Sequence, residues 1–299
     1  MERKLSAIII SSIGGHSGGG MFPLTLLPAY REVMQLVRER FITSITKSAT
    51  SYERKGNLIL YKPWTWRYVQ ELEEDGLLNA VGLTNLGVVA CAKKIRKAAI
   101  AGYNLIPSYY IEFNIPLERV VYRTLRAIEI YQMILGDYFW ILELDLSCLN
   151  ADEDIKNNMK AAIECIKKIR KEYPWLMLIA KISIVHPYEF AQELESIGVD
   201  ILHAINTIPF NIVFPDPNVK SPLHKVGGGG VSGGPARKYS YSYNQVLRKK
   251  VKIPIIMGCG ITKLEHAKMF KNIGANYLAI CTTIRRTPEE AKKIILAYS

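Results

Sequence analysis

The chain has 299 residues, of which 49% are hydrophobic and 22% are charged. This balance excludes a disordered protein and provides enough apolar residues for a large buried core. Lys and Arg outnumber Asp and Glu by 39 to 27, which gives a formal net charge of +12. Such a surplus of positive charge can help a protein to bind nucleic acid, an anionic membrane surface or anionic small ligands.

Most of the cationic residues fall in predicted helices, where they are typical of solvated faces. No recognition-helix or RNA-binding signature accompanies them, so we predict no nucleic-acid partner. No run of about 18 uncharged apolar residues occurs, which predicts that no helix crosses a membrane. The start of the chain, residues 1–4, leads into a short apolar run without a cleavage-like site, and we interpret it as the approach to a first strand rather than a signal peptide. The expected location is the cytoplasm, and abundant Lys, Arg and Ile with little Gln are typical of a thermophile.

The five cysteines do not form a recognisable framework. They are Cys91, Cys148, Cys165, Cys259 and Cys281. Their number is odd and no two are spaced as CxxC, so we predict neither a disulfide scaffold nor a self-contained zinc or iron–sulfur site, and no metal ion.

Short β-branched runs alternate with helical patterns along the whole chain. Strands are predicted at residues 7–12, 41–46, 105–113, 140–146, 177–183, 201–205, 253–257 and 277–281. Helices are predicted at residues 24–38, 90–101, 117–135, 152–171, 187–197, 243–249, 264–273 and 288–297. Several strands are almost entirely apolar, as expected of a parallel sheet covered by helices. About eight βα units in one chain predict a (β/α)8 TIM barrel, a single domain over residues 1–299 without a linker.

Two connections are longer than a barrel requires, and both leave the C-terminal ends of predicted strands. One runs from Lys47 to about Asn85, and the other from Thr207 to about Tyr241. Long loops within a compact domain are usually functional or mobile, and barrel enzymes carry their active sites on this face. We therefore predict the functional site there, beside the glycine-rich loop that follows the first strand.

The last two predicted strands end in segments that suit an anion. The seventh ends in Gly-Cys-Gly at residues 258–260, and the eighth in Cys-Thr-Thr at residues 281–283. Barrels often bind phosphate with these two loops. Glycine allows the backbone to approach an anion closely, and N–H groups at a helix start can bind it. The alternative interpretation is that the glycines in these segments only form turns between strand and helix.

Polar side chains close several of the apolar strands. They are Lys47 and Ser48 after the second strand, Asp145, Ser147, Cys148 and Asn150 after the fourth, and Asn206 and Thr207 after the sixth. Lys181 lies within an apolar strand, and burying a lysine is costly unless it meets an anion or an acceptor. The alternatives are an outward Lys181 between helices, a buried inert thiol at Cys148 and an exposed loop lysine at Lys47.

Six segments in sequence order resemble motifs of class 1 dihydroorotate dehydrogenases. Residues 46–50 (TKSAT) with 54–57 (RKGN) resemble the TKSxT…R.GN segment, residues 79–87 (NAVGLTNLG) the NxxGLxNxG loop, and residues 143–150 (ELDLSCLN) the ELNxSCPN motif. Residues 204–207 (AINT), 229–236 (GGVSGGPA) and 253–261 (IPIIMGCGI) extend the match. Each motif alone is weak evidence, but six in order cover nearly the whole chain.

The resemblance implies an FMN-containing barrel that oxidises dihydroorotate to orotate in pyrimidine biosynthesis. By position, Cys148 is the expected general base that takes a proton from substrate C5, while hydride leaves C6 for flavin N5. A thiol suits this role where a cation or a hydrogen bond provides thiolate near neutral pH. Lys47 is expected beside flavin and substrate, where it compensates the carboxylate. Lys181 is expected near the flavin N1/O2 edge, where it favours the anionic reduced flavin.

The same resemblance assigns the other site residues. Substrate contacts are expected from Lys47, Asn79, Gly82, Leu83, Asp145, Asn150, Asn206 and Thr207. FMN contacts are expected from Ser12, Gly14, Lys47, Ser48, Asn114, Lys181, Gly233, Gly258, Gly260, Cys281 and Thr282. Because FMN phosphate and orotate are both anions, they offer a use for the basic composition.

Four positions depart from the family pattern. Asp145 stands where the family has an asparagine that contacts the pyrimidine ring, and an ionised carboxylate only accepts hydrogen bonds, whereas an amide also donates. Leu149 replaces a proline, Cys281 replaces a glycine, and Gly234 is additional. These differences leave the identity of the substrate open. The alternative to a dihydroorotate dehydrogenase is therefore a related flavin dehydrogenase that acts on another cyclic amide. His16 matches no role in the family and is predicted to be a surface histidine.

Two other functions stay open from the residues alone. One is a flavin-free, aldolase-type barrel in which Lys181 forms a Schiff base, and the other is a non-catalytic basic scaffold that binds nucleic acid. The resemblance also implies a homodimer, with electrons passing to fumarate or, through a separate iron–sulfur flavoprotein subunit, to NAD. Because the chain has no cysteine cluster of its own, an NAD-linked enzyme requires that separate subunit.

Overall fold

The computed structural model describes residues 4–147 and 155–299. At its centre, eight parallel strands follow one another around a barrel. They are β1 (Ile8–Ser11), β2 (Thr43–Ile45), β3 (Leu105–Ile106 and Ser108–Tyr110), β4 (Ile141–Asp145), β5 (Met177–Ile182), β6 (Ile201–Ala204), β7 (Ile255–Met257) and β8 (Tyr277–Ile280). Each lies within one of the eight predicted strands, so those predictions are confirmed.

The sheet closes on itself through β3, which Pro107 interrupts because proline lacks the N–H that a ladder hydrogen bond needs. The part before Pro107 pairs with β2, with Leu105 beside Ser44, and the part after it pairs with β4, with Ser108 beside Glu143. The Pro107 carbonyl accepts a hydrogen bond from the Glu143 N–H at 2.9 Å. The other neighbours pair in the order β2, β1, β8, β7, β6, β5 and β4. This arrangement confirms the predicted (β/α)8 barrel.

Helices cover the outer face of the barrel. They are α1 (Pro28–Glu39), α2 (Gly87–Ile100), α3 (Leu117–Leu135), α4 (Ile155–Glu172), α5 (Tyr188–Ser196), α6 (Phe210–Val213), α7 (Gly234–Lys250), α8 (Leu264–Asn272), α9 (Thr282–Arg286) and α10 (Pro288–Tyr298). In α3 the buried residues Val120, Thr124, Ala127 and Tyr131 recur at intervals of three and four, which places them on one face of the helix. This face packs against the strands and explains why the helical periodicity was visible in the sequence.

Two features of the helices differ from the sequence prediction. The short helices α6 and α9 were not predicted. Helix α7 begins at Gly234 rather than at residue 243, because Pro235 has the fixed φ of a first helical turn and lacks only an N–H that is unpaired there. Among residues 4–147 and 155–299, no helix is both long enough and apolar enough to cross a lipid bilayer.

A layer of apolar side chains plugs the interior of the barrel, with one residue from each strand. These residues are Ile9, Ile45, Ile106, Ile141, Ile179, Ile201, Ile256 and Ala279. Side chains alternate between the two faces of a strand, so the next inward position lies two residues further along. In β3 to β6 that position holds a buried polar residue, and we call this group, Ser108, Glu143, Lys181 and His203, the polar floor. The apolar plug thus supports a polar surface at the C-terminal face.

The two long connections, predicted as loops, form a four-stranded antiparallel sheet over the C-terminal face. Its strands are Val69–Leu72, Gly76–Asn79, Gly230–Ser232 and Ile208–Pro209. In it Asn79 pairs with both Val69 and Gly230. We call it the cover sheet. Because its strands come from loops far apart in the chain, it holds the two connections together above the barrel.

Candidate active site

A cavity of about 710 Å³ opens between the C-terminal ends of the barrel strands and the cover sheet, which is within the range of roughly 300–1,000 Å³ typical of ligand sites. Thirteen residues predicted for the site line it. They are Ser12, Lys47, Ser48, Asn79, Gly82, Leu83, Asp145, Lys181, Asn206, Thr207, Gly260, Cys281 and Thr282. The fold therefore brings together residues that are far apart in the sequence.

Four predicted cofactor residues are described but lie off the cavity wall: Gly14, Asn114, Gly233 and Gly258. Asn114 is exposed in the loop after β3, while Tyr110 of that strand lines the cavity. Gly258 also lies close to the neighbouring strand, since a Cβ there would lie 2.9 Å from the Cβ of Ala279. The close approach of β7 and β8 therefore favours glycine at this position.

Two predicted residues, the general base Cys148 and the substrate contact Asn150, lie outside the described residues. The chain reaches the cavity immediately before them, because Asp145 and Ser147 both line it.

Lys181 projects from β5 into the cavity, so the alternative of an outward, snorkelling lysine is wrong. Its neighbours in register are Asp145 on β4 and His203 on β6. Burial alone would lower the pKa of Lys181, but the carboxylates of Asp145 and Glu143 hold it above its ordinary value. Within the described part of the chain its Nζ has no hydrogen-bond partner, so this buried ammonium can bind an electronegative ligand atom.

Asp145 accepts three hydrogen bonds from two residues, Ser48 and Ser147. Its Oδ2 accepts a hydrogen bond from Ser48 Oγ at 2.7 Å, and its Oδ1 accepts from the N–H of Ser147 at 3.2 Å and from the Ser147 hydroxyl. Asn206 Nδ2 donates in turn to Ser147 Oγ at 2.6 Å. The carboxylate is therefore fixed in orientation at the cavity wall, where it offers acceptors only.

Lys47 and Thr207 have unused hydrogen-bonding capacity at the cavity. Burial lowers the pKa of Lys47, and its Nζ donates one hydrogen bond, to the Thr84 carbonyl at 3.1 Å. The interpretation of Lys47 as an exposed loop lysine is thus wrong. Thr207 Oγ1 is buried and, among the described residues, has no partner. Such groups require a ligand or water to satisfy them.

The segments that were predicted to suit a phosphate also line the cavity, through Gly260, Cys281 and Thr282. Gly260 has φ of +142°, and a Cβ there would lie 2.6 Å from the Cα of Arg237, so only glycine fits. Thr282 Oγ1 donates to Ser232 Oγ at 2.8 Å. Arg285 also lines the cavity and adds a cation that sequence analysis did not single out. Glycine, hydroxyl and guanidinium groups together fit an anionic ligand end.

Among the described residues, two cysteines that line the cavity, Cys259 and Cys281, have thiols that do not ionise near neutral pH. Burial raises the pKa of Cys259 to about 12 and that of Cys281 to about 11, although the Lys181 ammonium opposes both shifts. Both side chains therefore remain protonated thiols at neutral pH and serve as wall residues rather than nucleophiles.

Glu143 and His203 of the polar floor were missed by the sequence analysis. Glu143 Oε2 lies 2.6 Å from His203 Nδ1, and both side chains are at most 2% exposed. Glu143 Oε1 accepts a hydrogen bond from Ser108 Oγ at 2.9 Å. Both residues could have been found by the criterion that singled out Lys181, which is a charged or polar residue within an apolar strand. That criterion was not applied to β4 and β6.

His16 is not a surface histidine, so that prediction is wrong. It is only partly exposed, and its Nε2 lies 3.4 Å from Cys91 Sγ. Burial, with a smaller contribution from Lys47, lowers the pKa of His16 to about 3. The residue does not line the cavity and belongs to the packing of the first glycine-rich loop.

Comparisons with known proteins agree with the geometry. The family model described as "Dihydroorotate dehydrogenase" matches residues 31–297. The "Dihydroorotate dehydrogenase B (NAD(+)), catalytic subunit" of Bacteroides thetaiotaomicron is 27% identical over 245 residues, and the match covers 80% of this chain and 74% of that protein. The protein of the same name from Parabacteroides distasonis is 29% identical over 227 residues, and the match covers 74% of this chain and 70% of that protein. A crystal structure of DHODH from Eimeria tenella in complex with ferulenol superposes with a TM-score of 0.65 and 15% identity, covering 97% of this chain and 79% of that one.

Proposed function

Because the chain belongs to the dihydroorotate dehydrogenase family and is an enzyme of that type, we propose that it oxidises dihydroorotate to orotate with FMN as its cofactor, in cytoplasmic pyrimidine biosynthesis. The observation that carries the proposal is the convergence of Lys47, Lys181, Asn206 and Thr207 on one cavity. Ammonium, amide and hydroxyl groups of this kind suit a planar, anionic pyrimidine and the polar ring of a flavin.

The cavity wall offers groups for both the ring and the phosphate of FMN. Lys181, whose ammonium has no hydrogen-bond partner among the described residues, suits the electronegative edge of the ring system, while Gly260, Thr282 and Arg285 offer backbone room, a hydroxyl and a cation for the phosphate. Ser12 and Ser48 line the same cavity. When bound, FMN supplies a two-electron acceptor for hydride. The protein's part is to orient the ring and to balance its charge.

The substrate would be held by the remaining polar groups. Lys47 is placed to pair with the carboxylate of dihydroorotate, and Asn79, Asn206 and Thr207 can hold the ring through amide and hydroxyl hydrogen bonds. We assign the general base to Cys148, which follows the cavity residue Ser147, and a further ring contact to Asn150. The base removes the proton from C5 as hydride leaves C6, so the ring loses two hydrogens and gains a double bond.

Anaerobic stopped-flow reduction of the purified yellow protein by dihydroorotate tests the proposal. We expect bleaching of the flavin absorbance that saturates with dihydroorotate, and one equivalent of orotate for each FMN. A colourless protein that does not take up FMN would reject the cofactor. A flavoprotein that dihydroorotate leaves oxidised would reject the substrate.

Asp145 favours a second candidate, a flavin dehydrogenase that acts on another cyclic amide. Its oxygens already accept hydrogen bonds from Ser48 and Ser147, so the side chain presents an acceptor where an amide would also donate. Steady-state assays with dihydroorotate on the native enzyme and on Asp145→Asn decide between the two. Activity that appears only in Asp145→Asn would favour the other substrate, and native activity that falls in Asp145→Asn would favour dihydroorotate.

The Schiff-base alternative conflicts with the electrostatics of Lys181. A lysine nucleophile must lose its proton near neutral pH, whereas neighbouring carboxylates hold the pKa of Lys181 above its ordinary value. We expect no borohydride trapping of a carbonyl substrate at this position. The non-catalytic nucleic-acid scaffold is likewise set aside, since the chain is an enzyme of the dehydrogenase type.

We further propose that the enzyme is a homodimer and passes its electrons to a separate iron–sulfur flavoprotein subunit. The support for the separate subunit is that the relatives are named as catalytic subunits of NAD(+)-linked enzymes, while the homodimer is proposed from the family resemblance alone. Reoxidation of the dihydroorotate-reduced protein by NAD and by fumarate, each alone, tests this proposal. We expect neither oxidant to restore the flavin absorbance rapidly, and rapid reoxidation by either one would make the separate subunit unnecessary.

A further inference from the structure

The Glu143–His203 pair is built into the surface on which a ligand would rest. Both residues lie directly above the apolar plug, and His203 lines the cavity. An ionised carboxylate at this depth is costly unless every lone pair finds a partner. Glu143 has two, the imidazole of His203 at 2.6 Å and the Ser108 hydroxyl at 2.9 Å. This pairing fixes the plane of the imidazole ring.

The pair also fixes which nitrogen faces the ligand. Burial would raise the pKa of Glu143, but the His203 imidazole, the Lys181 ammonium and the Ser108 hydroxyl bring it below its ordinary value, so the carboxylate is ionised and only accepts. The hydrogen between the two residues therefore sits on His203 Nδ1. In the neutral imidazole Nε2 then carries the free lone pair, and among the described residues no group is hydrogen-bonded to it.

Three neighbouring strands then present an alternating row of groups. In register, Lys181 on β5 stands between Asp145 on β4 and His203 on β6. Asp145 accepts, Lys181 donates, and His203 accepts through Nε2. A ring edge that matches this row carries a carbonyl or imine acceptor next to an N–H donor. Cyclic imides and ureides have such an edge, and the pyrimidinedione ring of a flavin and the ring of dihydroorotate are both of this class.

We propose that His203, oriented by Glu143, is a ligand-binding residue whose Nε2 accepts a hydrogen bond from a ring N–H of the molecule bound in the cavity. The inference rests on the proposed function, because it takes the ligand to be FMN or the dihydropyrimidine. Glu143 acts through His203 and is a positioning residue.

Nitrogen NMR of the native protein, labelled with 15N-histidine, tests the tautomer and the contact. The signals of His203 are assigned by their loss in His203→Gln. If that variant does not fold, they are assigned by their shift in Glu143→Gln, whose amide oxygen still accepts a hydrogen bond from Nδ1. We expect protonated Nδ1 and bare Nε2 without ligand, and a shift of Nε2 when FMN or then orotate is added. His186, a second buried histidine away from the cavity, serves as the reference. An Nε2-protonated tautomer, or no shift with both ligands, overturns the proposal.

Dissociation constants then identify which ligand the imidazole holds. A neutral hydrogen bond is worth about 1 kcal/mol, so His203→Gln should weaken binding of the affected ligand about fivefold. His186→Gln, which also places an amide in a buried site, should change neither constant. Weaker FMN binding assigns the contact to the cofactor, and weaker orotate binding with unchanged FMN affinity assigns it to the substrate. If native protein binds no FMN, the proposed function fails; if it does and His203→Gln binds both ligands unchanged, only the role of His203 fails.

Discussion

At the scale of single residues, the site is a set of buried charges that compensate one another. Lys181 is 5% exposed and has two carboxylates on the neighbouring strand β4, Asp145 beside it in register and Glu143 one inward position below. A buried ion pair adds little net stability, but removing one partner leaves an uncompensated charge. The arrangement therefore keeps an ammonium inside the barrel that would otherwise lose its proton, and keeps it available to a ligand.

Replacing Lys181 with Met tests this balance. We expect Lys181→Met to lower the free energy of unfolding by about 3–5 kcal/mol, because Asp145 and Glu143 lose their shared cation. The double variant Lys181→Met with Asp145→Asn should recover part of the loss. Urea denaturation at pH 7 measures both effects. The pKa of Lys181 is raised, so its stabilising effect is fully present at pH 7 and would be lost only as the pH rises above the ordinary value of lysine.

The control for Lys181 is Lys167, a half-exposed lysine on α4 paired with Glu164. Lys167→Met should change stability by less than about 1 kcal/mol, as is usual for surface ion pairs. Equal effects of the two substitutions would contradict a buried, charge-compensated Lys181.

The proposed base Cys148 is tested by Cys148→Ser. A serine hydroxyl is a far weaker base than a thiolate, so flavin reduction by dihydroorotate should slow by about 10²–10⁴-fold, and more strongly at low pH. FMN content should not change, since the substitution is nearly isosteric. Reductive half-reaction kinetics equal to those of the native enzyme would remove Cys148 from the role of base.

At the scale of elements, the barrel was predictable and the cover sheet was not. Each barrel strand is a short apolar run followed by an amphipathic helix, so its signal is local in sequence. The strands of the cover sheet have two to four residues, and Gly230 pairs with Asn79 across 151 positions of sequence. Pairing of this kind leaves no periodic pattern. Helix α7 was shortened in the prediction because Gly234 and Pro235 are typical loop residues, although both fit its first turn.

The cover sheet depends on a close contact with α7 at Gly234, the residue additional to the family pattern. A Cβ at Gly234 would collide with the Glu74 carbonyl oxygen in the hairpin of the cover sheet. We expect Gly234→Ala to cost about 1–3 kcal/mol, to speed amide hydrogen exchange in residues 69–79 and to weaken FMN binding. Hydrogen-exchange mass spectrometry with an FMN titration measures these effects.

Gly228 separates backbone strain from the collision at Gly234. It has φ of +80°, and no atom lies within 4 Å of the site of a Cβ. Gly228→Ala should therefore cost about 1–2 kcal/mol of backbone strain, while exchange in residues 69–79 stays slow. If both variants loosen the hairpin equally, the contact at Gly234 does not hold the cover sheet.

At the scale of the whole molecule, the site lies where the polar ends of barrel strands meet the cover sheet, above an apolar plug. The sequence motifs predicted thirteen of the residues that line this cavity, because barrel topology brings all C-terminal strand ends to one rim. Asn114 follows the end of β3 at Tyr110 and does not line the cavity, so its FMN contact stays a prediction. Glu143 and His203, sixty positions apart, could be joined only by the three-dimensional register.

Stability of the whole chain should fall between pH 6.5 and pH 4.5. Burial lowers the pKa of His186 to about 4 and that of His16 to about 3. Below pH 6.5 the unfolded chain binds a proton at each imidazole and the folded chain does not, so the free energy of unfolding decreases as the pH falls. Each histidine contributes at most roughly 1.4 kcal/mol per pH unit, which gives a loss of roughly 2.4 kcal/mol from pH 6 to pH 5 for the pair, because the unfolded imidazoles are not yet fully protonated at pH 6.

The two histidines can be separated by substitution, because glutamine keeps a hydrogen-bonding side chain but does not titrate. His16→Gln and His186→Gln should each reduce the pH slope of the unfolding free energy by about one proton, whatever their effect on stability at pH 7. Urea denaturation in steps from pH 7 to pH 4.5 gives these slopes. Glu143 and Glu290, whose pKa values are lowered, act in the same direction but only at more acidic pH. Unchanged slopes in both variants would mean that neither imidazole is kept neutral by burial.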